Sequence, residues 1–172
     1  MARNVRVLGA KSAGFTLVEL VVTLVIIGAL AAVSAPLFFS AQDFQQSGFR
    51  NEAVAVIRYA QKAAVGSGCG VQVAIAANTI SLTTAAGVGT CFSGPFNQAV
   101  SDPSNPGVAF SRFAPNGVTI AITAGPSPFL FCPLGDTSSS GSCSGNYTRA
   151  DVTVSVTGPS NISIDGATGY TR

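Results

Sequence analysis

The stretch that decides the fold is Gly14–Phe39, which reads GFTLVELVVTLVIIGALAAVSAPLFF. From Phe15 to Leu37 one residue is ionisable, Glu19, and the other side chains are apolar, small or hydroxylic except for Pro36. As an α-helix these 23 residues extend about 35 Å, and the hydrocarbon core of a bilayer is about 30 Å thick. The stretch therefore predicts a transmembrane helix over residues 15–37.

Basic residues before this stretch predict its orientation. Arg3, Arg6 and Lys11 precede it without an acidic residue, and positive charge is retained on the cytoplasmic side of membranes. The N-terminus is therefore expected in the cytoplasm, and the rest of the chain across the membrane. A cleavable secretory signal also has a basic start and an apolar core. The small residues Ala29, Ala31 and Ala32 would supply its cleavage site, so this alternative stays open.

The start of the stretch, Gly14–Glu19 (GFTLVE), resembles the processing motif of type IV prepilins and type II secretion pseudopilins. The resemblance rests on a glycine, an aromatic residue, and a glutamate five residues after the glycine, before an unbroken apolar run. In that family a prepilin peptidase cuts after the glycine, and the new N-terminal residue is N-methylated. The resemblance implies a leader of residues 1–14, cleavage between Gly14 and Phe15, and N-methylation of Phe15.

Glu19 would be the fifth residue of such a processed chain, and the resemblance implies that it acts in assembly. A carboxylate near hydrocarbon is costly without a partner, and in the family this glutamate is thought to pair with the N-terminal amine of a neighbouring subunit. The alternative is a charge at headgroup level with no partner. Gly28 and Pro36 match positions that bracket a loosened helical segment in assembled pili, and both residue types weaken a helix.

Length and composition limit the number of domains and the possible functions of the remaining chain. The sequence has 172 residues, of which roughly 135 follow the leader and the apolar stretch, a normal size for one domain. It contains no histidine, which excludes catalytic pairs, catalytic triads and metal sites that are built on histidine. Without the leader, six basic residues face seven acidic ones, a net side-chain charge of 6 − 7 = −1. That balance provides no broad basic surface for nucleic acid.

The helix is predicted to continue as an amphipathic half over residues 38–66. Apolar residues recur there at helical spacings and form one stripe: Phe44, Phe49, Ala53, Val56, Ile57, Ala60 and Ala64. Gly66 and Gly68 supply a helix stop. The stripe is expected to pack against a β-rich head domain of residues 67–172.

In the head the periodicity changes to two, which predicts strands. About seven are expected in two antiparallel sheets, so the fold class is α+β, with a long N-terminal helix packed on a small β domain. Two stretches rich in Gly, Ser, Pro and Asn, residues 85–107 and 134–147, are expected to be loops. The predicted strands are Val71–Ile75, Thr79–Thr83, Gly107–Phe113, Val118–Thr123, Ser127–Cys132, Val152–Thr157 and Asn161–Asp165.

Four cysteines, Cys69, Cys91, Cys132 and Cys143, follow the apolar stretch. An even number in an exported domain indicates two disulfides in an oxidising, periplasm-like compartment. Three pairings are possible, and the local one, Cys69 with Cys91 and Cys132 with Cys143, is favoured. A metal site is disfavoured because neither a CxxC spacing nor a histidine accompanies the cysteines.

Weaker resemblances concern the helix and the C-terminus. Gly48–Glu52, Arg58–Lys62 and the ending Thr168–Arg172 resemble minor pilins of the pseudopilin H and FimT group, nearest to those of the mannose-sensitive haemagglutinin type of pilus. DNA-binding minor pilins of the FimT kind end in Gly-Arg-x-Arg. Here Tyr170 replaces the first arginine, which favours a solvated Arg172 over DNA capture.

The sequence therefore indicates a structural subunit, a minor pilin or pseudopilin held in the bacterial inner membrane with its head in the periplasm. Its expected partners are other pilins or pseudopilins, through the N-terminal helix, and the prepilin peptidase. No cofactor and no enzymatic activity are expected, since no nucleophile has a base beside it. The alternative function is a filament-tip protein that binds DNA or surfaces through the loops 85–107 and 134–147.

Overall fold

The computed structural model describes residues 14–38, 41–85, 91–158 and 160–172, with the side chains of residues 33–38 and 41 outside that description. The chain divides into two compact units, Met1–Ser40 and Ala41–Arg172. The predicted leader, apart from Gly14, and part of the predicted loop 85–107 lie outside the described residues.

The first unit contains helix α1, Leu17–Phe38. The helix includes Gly28 and Pro36, and its described side chains, up to Ala32, are exposed. The predicted membrane span ends at residue 37, so its last residues are among those whose side chains are not described. In the part of the chain with described side chains, no helix combines the length and apolarity needed to cross a membrane.

The second unit begins with helix α2, Ala41–Ser67. The predicted stripe is buried along most of the helix, at Phe49, Ala53, Val56, Ile57, Ala60 and Ala64, but Phe44 is exposed. The helix ends where predicted: Gly68 has φ +68°, and its N–H donates to the carbonyl of Ala64 at 3.0 Å. A residue with positive φ closes the last turn, and glycine adopts that conformation without steric cost.

Eleven strands follow within the described ranges, all paired antiparallel in three sheets. The strands are β1 Val71–Ala76, β2 Thr79–Thr84, β3 Gln98–Ala99, β4 Ser101–Asp102, β5 Asn105–Ala109, β6 Ser111–Phe113, β7 Ile120–Ala124, β8 Phe129–Phe131, β9 Thr137–Ser138, β10 Val152–Val156 and β11 Ile162–Ile164. The first sheet has the order β3-β2-β1-β8-β9, with β6 also on β2; the second is β11-β10-β7, and the third is β4-β5.

The α+β fold class is confirmed, whereas seven strands in two sheets was too few. Strands β3 and β4 lie in the predicted loop 85–107, and β9 lies in the loop 134–147. The strand predicted at Gly107–Phe113 is divided at Phe110, which is buried. On one side of it β5 pairs with β4, and on the other β6 pairs with β2, so one apolar run serves two sheets.

One core joins α2 to the sheets. The buried stripe of α2 packs on β1 and β8. Large apolar side chains fill the space between the layers: Val71, Val73, Ile80, Leu82, Phe129, Phe131, Val152, Val154, Ile162 and Ile164. The β1–β2 hairpin turns at Ala77 and Asn78, which both have positive φ, the geometry of a tight two-residue hairpin. The head is therefore a firmly packed base for its surface loops.

Candidate functional site

The start of α1 is built by local hydrogen bonds. Gly14, Phe15 and Thr16 are non-helical, and the helix begins at Leu17. The N–H of Glu19 donates to Oγ1 of Thr16 at 3.3 Å, which makes Thr16 the N-cap residue. The Thr-x-x-Glu spacing is that of a capping box, a signal that the sequence carries but that we did not use in predicting the helix start. Glu19 therefore lies in the first helical turn, close to Phe15.

The surroundings of Glu19 are apolar. Phe15, Leu17, Val18 and Leu20 are large, exposed side chains, and the exposed surface continues to Ala32 without a basic residue. The sequence from Gly14 to Ala32 contains no other charge. Between Gly14 and Ala32 the chain therefore offers no side-chain cation to pair with this carboxylate if lipid or protein covers the surface. Arranged in this way, the helix start can recognise a positive charge in an apolar environment.

In the head, one ion-pair group ties α2 to the third sheet. Arg112 contacts the carboxylates of Asp102 at 2.7 Å and Glu52 at 3.1 Å, and its guanidinium lies over the ring of Phe110. The hydrogen bond from Arg112 is the main reason why the pKa of Asp102 is below its ordinary value. The same bond raises the pKa of Arg112. The single positive charge of Arg112 thus bridges two carboxylates in a structural contact.

A second polar group lies under the loop 134–147. The carboxylate of Asp136 is buried and accepts hydrogen bonds from the hydroxyl of Tyr147, at 2.9 and 2.8 Å, and from Nε of Arg149, at 2.6 Å. Burial is the main cause that raises the pKa of Tyr147, followed by its bond to Asp136. Asp151, a further carboxylate near this segment in sequence, accepts the N–H of Gly166 at 2.7 Å. The described residues contain no cluster of three groups able to hold a metal ion.

The cysteines form two disulfides, Cys69–Cys91 and Cys132–Cys143, which is the local pairing. The two predicted loops also contact each other: the N–H of Cys143 donates to the carbonyl of Phe92, the residue after the first disulfide, at 2.5 Å. The hydroxyl of Ser142 donates to the same carbonyl at 3.1 Å. The described parts of the two predicted loops therefore form one continuous surface.

The basic side chains of the head mostly bind the protein's own groups. Arg50 donates to the carbonyls of Ser160 and Asn161. Arg58 donates to the carbonyl of Thr171 at 2.8 Å, and Nε of Arg172 donates to the hydroxyl of Ser163 at 3.1 Å. With Arg112 and Arg149 in ion pairs, five arginines have intramolecular partners. Arg172 is exposed, as expected, and it also makes this one hydrogen bond.

The C-terminal segment lies against α2 through contacts that the sequence did not reveal. Nε2 of Gln61 donates to the carbonyls of Gly135, at 2.8 Å, and Thr168, at 2.9 Å. Gly169 packs so closely that a methyl group there would overlap the carbonyl oxygen of Gly135. Gln61 fills one position of a polar helix face, and nothing in its neighbours along the chain marks it as the residue that holds two distant segments.

Comparison with known proteins gives one match to the N-terminal segment and two structural likenesses. Residues 9–35 match the family model of the prokaryotic N-terminal methylation motif. The minor pseudopilin EpsH from the type 2 secretion system of Vibrio cholerae is structurally similar, with a TM-score of 0.52 and 10% identity over 74% of this chain and 94% of that one. The type IV minor pilin FimU of Pseudomonas aeruginosa gives a TM-score of 0.47, with 16% identity over 78% and 90%. No curated protein sequence matches the chain.

The first of these matches concerns the N-terminal segment alone, and the likeness to EpsH concerns the fold. The chain thus carries a match to the prokaryotic N-terminal methylation motif and is similar in fold to EpsH.

Proposed function

We propose that this protein is a minor pilin or pseudopilin, a structural subunit of a type IV pilus or a type II secretion pseudopilus. A prepilin peptidase cuts it between Gly14 and Phe15, and Phe15 is N-methylated. Residues 15–37 hold it in the inner membrane with the head in the periplasm, until the helix packs among other subunits. The head is structural and not enzymatic. Its resemblance to the pseudopilin H and FimT group, and to minor pilins of the mannose-sensitive haemagglutinin type, favours a minor subunit.

One observation carries this proposal: a single carboxylate, Glu19, lies in the first turn of an exposed apolar helix that begins with a methylation motif. Cleavage after Gly14 would place a free amine on Phe15, within one helical turn of that carboxylate. Either charge alone is unfavourable in an apolar environment, and together they form a pair of low net charge. A subunit with this helix start can therefore accept the amine of a neighbour through Glu19. Gly28 and Pro36 would let the helix loosen as it packs.

The mature N-terminus is the first test. Mass spectrometry of the protein purified from its native membrane should find a chain that begins with N-methylated Phe15. A chain that still begins at Met1 would contradict the processing step. A start beyond Ala29 would instead favour a cleaved secretory signal.

Assembly is the second test. Glu19→Gln keeps the shape of the side chain and removes its charge, so we expect normal processing but no recovery of the protein with sheared filaments. Thr23→Val is the matched control, because Thr23 lies one turn later on the same helix and its hydroxyl bonds only to the carbonyl of Leu20 among the described contacts. Equal recovery of the Glu19 variant and the control would contradict an assembly role for the carboxylate.

A second candidate function is surface binding at a filament tip. The observation in its favour is that the predicted loops 85–107 and 134–147 contact each other at Phe92. Replacing Ser139 and Ser140 by glutamate should then abolish adhesion of filament-bearing cells to a surface while filament number stays normal. Adhesion equal to that of the unchanged protein would exclude this surface. DNA binding is less favoured than binding to a surface, because five arginines already bind groups of the protein itself.

A further inference from the structure

A polar face lies on the outside of the second sheet, where β10 and β11 pair. Thr153 and Ser163 are directly opposite each other across these two antiparallel strands. The residues on either side of them in each strand are buried, whereas Thr153 and Ser163 are only partly buried. Since successive residues of a strand point to opposite faces, the two hydroxyl side chains lie together on the face away from the core.

The next pair along this face consists of two carboxylates. The register continues past the ends of β10 and β11, because Gly166 packs against the backbone of Ala150. Asp151 and Asp165 are therefore also opposite each other, and both are exposed. Asp151 accepts the N–H of Gly166 at 2.7 Å, and Asp165 accepts the N–H and the hydroxyl of Thr168 at 2.8 and 2.7 Å. Like charges in such a pair are unfavourable unless a cation relieves them.

The C-terminal segment adds an aromatic ring and a guanidinium to the same face. Ser163 and Arg172 exchange two backbone hydrogen bonds, both of 3.0 Å, and the N–H of Asp165 donates to the carbonyl of Tyr170 at 3.0 Å. Thr171, between them, is buried, so the side chains of Tyr170 and Arg172 point away from the core, where both are exposed. Nε of Arg172 donates to the hydroxyl of Ser163 at 3.1 Å, which places these two side chains on one face.

These side chains line a groove of about 600 Å³. We call it the β10–β11 groove and define it by six residues: Asp151, Thr153, Ser163, Asp165, Tyr170 and Arg172. Its side-chain charge is −2 + 1 = −1. A carboxylate can accept about four hydrogen bonds and a guanidinium has about five N–H donors, and the described contacts use only part of both. Tyr170 is 62% exposed. The groove therefore offers acceptors, donors and an aromatic surface to a ligand.

We propose that the β10–β11 groove binds a saccharide that carries a protonated amino group. The ammonium lies between the carboxylates of Asp151 and Asp165 and relieves their repulsion through charge-assisted hydrogen bonds. The sugar hydroxyls bind the guanidinium of Arg172 and the hydroxyl of Thr153, and an apolar face of the sugar ring covers the ring of Tyr170.

Other classes of ligand use only part of this groove. A simple amine pairs with the carboxylates but leaves the donors of Arg172 and the ring of Tyr170 without partners. A neutral sugar binds the polar groups but leaves the two carboxylates opposed without a cation. A polyanion such as DNA meets the net negative charge of the groove. Saccharide binding here does not depend on the proposed assembly, since all six residues belong to the head.

Titration of the full-length protein with short oligomers tests the proposal. The protein is kept in an uncharged detergent without a sugar headgroup, at about pH 6, where aspartates are ionised and aliphatic amines are protonated. By isothermal titration calorimetry, we expect a glucosamine trimer to bind at least about tenfold more tightly than an N-acetylglucosamine trimer, whose nitrogens are uncharged. Trilysine, which has the same net charge but no sugar ring, should also bind at least about tenfold more weakly. No binding of the glucosamine trimer, or equal binding of either comparison ligand, would overturn the proposal.

Substitutions assign the binding to the groove. Asp165→Asn keeps an acceptor for Thr168 but loses the charge, and should weaken binding of the glucosamine trimer about tenfold. Tyr170→Ala removes an exposed ring and should weaken it about fivefold. The matched controls are Asp43→Asn and Phe113→Ala, an exposed acid and an exposed aromatic residue outside the groove, which should bind like the unchanged protein. If Asp165→Asn does not fold, as judged by circular dichroism, Tyr170→Ala decides alone. Affinity equal to that of the controls would refute binding at this groove.

Discussion

Gly169→Ala should show how firmly the C-terminal segment is held against the head. Gly169 has φ +65°, and its N–H donates to the carbonyl of Asp165 at 2.7 Å. A methyl group there would overlap the carbonyl of Gly135 and the amide of Gln61. The variant therefore has to adopt a strained backbone and also displace the side chain that joins two segments.

The magnitude follows from these two effects. An alanine in the left-handed region costs about 1–2 kcal/mol. Loss of the two hydrogen bonds of Gln61 costs about 0.5–1.5 kcal/mol each. We therefore expect the free energy of unfolding to fall by about 2–5 kcal/mol in the variant. Urea unfolding of the full-length protein in detergent, followed by circular dichroism, measures this change.

A matched control isolates the contact. Gly141 has nearly the same conformation, φ +69°, and a methyl group there would have no atom within 4 Å. Gly141→Ala should therefore cost only the backbone strain, about 1–2 kcal/mol. If the two variants lose the same stability, the close packing of Gly169 does not hold the segment and the reasoning fails.

Two further predictions concern the core and the ion pairs. Ile57→Ala should lower the free energy of unfolding by about 2–5 kcal/mol, because Ile57 is fully buried in the stripe of α2. Ala55→Ser, on the exposed side of the helix, should change it by less than about 0.5 kcal/mol. Equal losses in urea unfolding would show that the buried stripe lies elsewhere on the helix. The pKa of Asp102 is lowered below 3.8 by Arg112, so this carboxylate stabilises the fold above that pH, and the contribution is lost as the pH falls through the lowered pKa. Asp102→Asn should therefore flatten the decline of Tm between about pH 5 and about pH 2, and an unchanged decline would contradict the pairing.

Some elements were predictable because the signal is local. The apolar stripe of α2 recurs over several helical turns, and glycines mark the end of the helix. The alternation of Val71–Thr84 gives both strands of the first hairpin. Strands of two residues, such as Gln98–Ala99 and Thr137–Ser138, have no period to read, since alternation needs at least four residues. They exist because neighbouring strands offer unpaired backbone groups. Phe110 shows the same limit, because its burial divides a run that looks like one strand.

In the candidate site, too, local features were predictable from the sequence and long-range contacts were not. Gly14, Phe15 and Glu19 lie close together in sequence, so the motif could be identified directly, and the capping by Thr16 is equally local. The contacts of Gln61 and Arg58 reach residues more than 70 positions away, and the buried Asp136 finds its partners across a disulfide loop. No spacing in the chain indicates such partners, because they are brought together by the packing of α2 on the sheets.

By itself, the sequence determined the apolar helix with its single carboxylate, the amphipathic helix that follows, and a β-rich head with four cysteines, for which it favoured the local pairing. These depend on period, composition and spacing, which act between near neighbours. The tertiary structure alone decided how eleven strands within the described ranges divide into three sheets, that Phe44 is exposed, and that Gln61 joins the segments of Gly135 and Thr168. The physical reason is that burial is settled by which distant segments pack together, and a helical or strand period fixes only the side of an element on which a residue lies.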